Sequence, residues 1–100
     1  MKWAACLAIL LIFSVTISRA QEPPVARSTC SQCHATQKGQ LLSPNLRAPT
    51  FAEIANTPGV TAAALLLMLT TPHAGMPMFI LSPEQRQDII NYILGLKAGN

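Results

Sequence analysis

The 100-residue chain predicts an all-α fold built from three to five short helices. Apolar residues recur at helical spacing around Phe51–Ala55, Thr61–Leu69 and Ile89–Leu94. Prolines and glycines stand between these runs, and no segment alternates apolar and polar residues as a half-buried strand would. One hundred residues allow a single domain.

The first element is expected to be removed. Lys2 precedes an apolar run from Trp3 to Phe13, which gives way to Ser14, Thr16 and the small-residue ending Ser18-Arg19-Ala20. A positive start, a short apolar stretch and a small residue at the cut form a secretory signal peptide over residues 1–20, leaving 21–100 as the domain. An 11-residue run is short beside the ~20 residues a spanning helix needs, so an uncleaved anchor is the less favoured reading. The mature chain then carries Arg27, Lys38, Arg47, Arg86 and Lys97 against Glu22, Glu53, Glu84 and Asp88, a net charge of +1. So weak a balance gives no ground for nucleic-acid binding. It also offers no charged patch from which to name a partner.

The remaining elements follow in order. Gln21-Glu22-Pro23-Pro24 reads as an extended lead-in, because consecutive prolines lack amide donors. Val25 to Ala35 is expected to be a short helix, and Thr36 to Arg47, with Gly39, Pro44 and Asn45, a loop. Phe51, Ile54 and Ala55 mark a short helix after Pro49, ended by Pro58-Gly59. Ala62 to Leu69 is apolar nearly all round, which predicts burial on more than one side. Residues 70–79 form an irregular loop whose Met76, Met78 and Phe79 call for an apolar surface against them. Ser82-Pro83-Glu84-Gln85 announces the last helix with a serine cap, proline at the first position and Gln85 to close a capping box.

Chemistry concentrates in Cys30-Ser31-Gln32-Cys33-His34. Cys-x-x-Cys-His is the attachment pattern of c-type haem. Each thiol adds to a vinyl group as a thioether, and the next residue, His34, brings a ring nitrogen to the iron. The fold expected is therefore helices wrapped around one covalent haem, an apolar plate that completes a core too small to stand alone. Two other readings of the cysteines fall short. Structural zinc would need two more ligands, with His34 badly placed and His73 distant, and a thioredoxin-like site would need a strand-helix-strand setting.

For the sixth ligand the chain offers Met76, Met78, His73 and Met68. Met68 lies in an apolar helix, where methionine is usually core filler. Met76, between Gly75 and Pro77, is favoured because its backbone can approach closely and is then stiffened; Met78 and His73 follow. A thioether ligand would raise the reduction potential relative to a second histidine.

Cys30 through His34, Ser43-Pro44-Asn45-Leu46, Met76-Pro77-Met78-Phe79 and the ending Leu81 to Leu94 together resemble a small class I monohaem cytochrome c of bacterial type, over about residues 25–97. The resemblance implies Met76 as axial ligand and the carbonyl of Pro44 as acceptor for the ring N–H of His34, a bond that would fix its tautomer and orientation. The chain departs from the family pattern in having Ser43 for a glycine and no aromatic in the first helix, leaving Val25 or Ala26 to meet Tyr92. The mature chain has no tryptophan for a haem propionate, and Arg47 is the substitute candidate.

With His34 and Met76 on opposite faces the iron has no open position. The expected function is a periplasmic one-electron carrier, or a small electron-transfer subunit, that is not itself an enzyme and meets its redox partners briefly. The alternative is a haem-based ligand-binding or sensor module with a labile sixth ligand.

Overall fold

The computed structural model describes residues 12, 14 and 21–99, so the expected signal peptide lies almost entirely outside the described residues. The described residues form four helices in chain order: α1 (Pro24–Ser28), α2 (Phe51–Ala55), α3 (Ala62–Thr70) and α4 (Pro83–Gly95), with a 3₁₀ turn at Cys30–Gln32 between the first two. Among the described residues there is no strand, only an isolated bridge between His73 and Met76.

Helix α4 is the hub, and α1, α2 and α3 all pack on it. Its start matches its sequence: Gln85 N donates to Ser82 Oγ at 3.1 Å while Ser82 N donates to Gln85 Oε1 at 2.9 Å, a reciprocal capping box with Pro83 in the first turn. Ile89, Ile90, Tyr92 and Ile93 form its buried face. Ala26 of α1, Phe51 and Ala55 of α2 and Leu65 of α3 close against that face. Ala26 is fully buried in the cluster that also holds Tyr92, with Val25 at its margin, so small residues fill the first helix's share of this core.

Two elements differ from their expected form. The helix expected over Val25–Ala35 stops at Ser28, because polar side chains compete for its carbonyls. Ser31 Oγ donates to Arg27 O, and Gln32 Nε2 to Ser28 O at 3.1 Å. Among the described residues helix α3 buries Leu65 and packs on α4 alone, while Leu66, Leu67 and Met68 stay exposed. An apolar composition all round the helix does not specify a second partner for it.

Helix α2 carries a cap that its sequence also encodes. Glu53 N donates to Thr50 Oγ1 at 3.0 Å and Thr50 N to Glu53 Oε2 at 2.7 Å. This fixes the direction in which residues 49 and 50 enter the helix.

Candidate haem site

After the 3₁₀ turn the chain closes on itself. Both Cys33 N (3.1 Å) and His34 N (2.9 Å) donate to Cys30 O, which gathers Cys30, Cys33 and His34 into one tight turn. The two cysteines form no disulfide with each other; Cys30 is buried and Cys33 half-buried. Burial is the main cause that pushes the Cys30 thiol above its ordinary range, with the negative charge of Glu22 adding to it. Among the described residues no group of three or more His, Cys, Asp or Glu converges as a bare metal ion would need.

The backbone after the motif is held from several directions. Asn45 N donates to Cys33 O at 3.1 Å, Ala35 N to Ser43 Oγ at 3.0 Å, Phe51 N to Ala35 O at 2.9 Å and Tyr92 Oη to Thr36 O at 2.7 Å. Ser43, which stands where the family pattern has glycine, is buried and supplies one of these acceptors.

The carbonyl that meets the His34 ring belongs to Pro49, 2.6 Å from Nδ1, and not to Pro44. Pro44 is exposed. The residues on either side of it, Ser43 and Asn45, bind the motif backbone instead. Pro49 immediately precedes the Thr50 cap, and the resulting entry into α2 aims its carbonyl at His34. With Nδ1 engaged as a donor, the ring keeps Nε2 for a ligand bond. Phe51 backs the imidazole, with ring centroids 5.5 Å apart, and Tyr92 meets Phe51 edge-on at 6.3 Å. Neither Pro49 nor Glu22, whose side chain bonds to the segment after His34, stands out in the sequence. The Thr50-x-x-Glu53 capping box is the local signal that marks the chain direction at Pro49.

The loop 71–80 supplies the rest of the site. Gly75, at φ +78°, makes the reversal that pairs His73 with Met76, and Met76 N donates to His73 O at 3.3 Å. A cavity of about 650 Å³ is lined by Cys30, Cys33 and His34 together with His73, Met76, Pro77 and Phe79 of this loop. That is within the range of about 300–1,000 Å³ for small-molecule and cofactor sites. Arg47 also lines it, while Met68, Met78 and Pro44 do not. Met78 and Met68 are exposed. Of the four candidate sixth ligands, the cavity therefore brings Met76 and His73 to the motif. Two cysteines, a histidine whose Nδ1 is already engaged and a methionine thioether, all lining one mainly apolar cavity, suit a covalently held haem.

Short helices wrapped round a cavity with a Cys-x-x-Cys-His wall define a class: small helical electron-transfer proteins carrying one covalent haem. Residues 23–93 match the family model described as cytochrome c oxidase, cbb3-type, subunit III. Cytochrome c-552 of Bradyrhizobium diazoefficiens is 34% identical over 73 residues, covering 73% of this chain and 69% of the relative. No solved structure matches the chain. The chain belongs to the cytochrome c family, as a small monohaem class I member whose cofactor is haem c with its iron.

Proposed function

We propose that this protein is a periplasmic one-electron carrier, or a small electron-transfer subunit, with its haem held by Cys30 and Cys33 and its iron ligated by His34 and Met76. The observation that carries this is that one cavity is lined by all four residues. Bound there, the haem supplies an iron that changes by one electron between ferrous and ferric.

The chain's residues account for the rest. Pro49 fixes the His34 ring so that Nε2 is presented in one orientation in both oxidation states. Phe51 and Tyr92 stiffen the wall behind it. The Gly75 turn and Pro77 keep Met76 at the cavity that His34 also lines, so the two side chains would hold the iron together and leave no position for substrate, which makes the protein a carrier and not an enzyme. The leader over residues 1–20 would export the chain to the compartment where haem is attached. No helix among the described residues is long and apolar enough to cross a membrane. The name of the matched family suggests an oxidase assembly as one destination for the electron.

The test is an absorption spectrum of the oxidised protein with a redox titration. A methionine-to-iron charge-transfer band and a reversible one-electron wave are expected. A high-spin oxidised spectrum would overturn the reading in favour of a ligand-binding or sensor module with a labile sixth ligand.

A further inference from the structure

Glu22 lies outside every motif, yet its side chain is only 8% exposed. Its carboxylate reaches across to the segment that follows His34. Thr36 Oγ1 donates to Glu22 Oε1, and Gln37 Nε2 donates to Oε2 at 3.3 Å. Arg27 Nε stands 3.8 Å from Oε2 on a side chain that is 71% exposed, so the countercharge sits in solvent and compensates weakly. Thr36 is itself buried, two residues beyond His34, and its carbonyl accepts the Tyr92 hydroxyl at 2.7 Å. A carboxylate sunk to this depth is costly unless its charge is held by donors or serves the site.

We infer that Glu22 is a positioning residue that also acts electrostatically. It clasps Thr36, holding the backbone beyond His34, and places a fixed negative charge beside the haem-binding turn that favours the oxidised iron. The inference rests on the reading of Cys30, Cys33 and His34 as the haem-binding turn. The charge of Glu22 also contributes to raising the Tyr92 hydroxyl, on the far side of Thr36. Ferric iron carries one more positive charge than ferrous, so a nearby carboxylate stabilises it and lowers the potential.

The experiment compares the haem-loaded wild type with Glu22→Gln and Glu22→Asp. Glu22→Gln keeps an acceptor for Thr36 but loses the charge. At a fixed ambient potential near the midpoint, it should raise the reduced-to-oxidised ratio about three- to tenfold, tenfold being 59 mV for one electron. Glu22→Asp keeps the charge and should stay within about twofold of the wild type. Its shorter reach to Thr36 should still lower the denaturation midpoint. If Glu22→Gln fails to load haem, Glu22→Ala carries the same test with the same sign. A midpoint potential unchanged in the neutral variants, or shifted equally in Glu22→Asp, overturns the inference, because a purely structural clasp would move stability alone. Covalent haem on the wild-type protein, read by mass, tests the underlying site separately: its absence sinks the haem-site reading whatever Glu22 does.

Discussion

The carbonyl of Pro49 lies 2.6 Å from Nδ1 of His34, joining the residue that enters α2 to the residue that closes the Cys-x-x-Cys-His turn. The orientation of the imidazole thus depends on a helix cap sixteen residues away. Thr50 and Glu53 satisfy each other's backbone amides, and Phe51 N donates to Ala35 O, so cap, helix and motif form one connected unit.

Thr50→Ala removes the side chain that accepts from Glu53 N. The loss of an N-cap is worth roughly 0.5–2 kcal/mol. For a domain of this size each kcal/mol is about 4–8 °C in Tm. Thermal unfolding of the haem-loaded variant should show that decrease, and Thr50→Ser should restore most of it. If Thr50→Ala unfolds at the wild-type temperature, the cap does not hold this end of α2.

Met76→Ala should abolish the charge-transfer band of the oxidised protein, whereas Met78→Ala should leave it in place. The reason is positional: Met76 lines the cavity and Met78 is exposed outside it. His73 lines the same cavity and is paired with Met76 through the Gly75 turn, so the Met76→Ala spectrum also tests for a histidine substitute. A band that survives Met76→Ala and disappears in Met78→Ala would transfer the ligand role.

Local signals in the sequence proved the most legible. Ser82-Pro83-Glu84-Gln85 names its own helix start because capping is settled within four residues, and both bonds of the box are present. Phe51 and Ala55 were readable as core from spacing. The helix expected over Val25–Ala35 was not, because Ser31 and Gln32 favour side-chain bonds to the backbone over helix continuation. Nor was the choice of Pro49 over Pro44, since which carbonyl points at His34 depends on how α2 is docked on α4. Glu22 was hidden for the same reason: its partners Thr36 and Gln37 are fourteen and fifteen residues away.

Phe51 stands between the site and the core, with His34 on one side and Tyr92 on the other, and is 3% exposed. Phe51→Ala should cost about 3–5 kcal/mol. Small domains have about 5–15 kcal/mol in total, so the loss would approach the stability limit. Denaturant titration of the haem-loaded protein should show the midpoint fall, with Phe51→Leu retaining most of it. A small effect of Phe51→Ala would mean that the wall behind His34 is held by its hydrogen bonds and not by this ring.

Tyr92 gives the fold a dependence on alkaline pH. Burial, and then the negative charge of Glu22, raise its pKa in the folded state, while its hydroxyl donates to Thr36 O at 2.7 Å. A folded-state value above the unfolded one means that folding favours the neutral phenol. The stabilisation is therefore complete below the ordinary tyrosine value of about 10. It is lost as pH rises from there through the higher folded value. Tyr92→Phe should be less stable than wild type by about 0.5–1.5 kcal/mol at neutral pH, from the lost hydrogen bond. The gap should narrow above pH ~10, where the wild type alone must hold a phenolate away from water. Denaturation midpoints of both proteins across this range provide the measurement. A gap that stays constant through the alkaline range would show that ionisation of Tyr92 is not what opposes folding there.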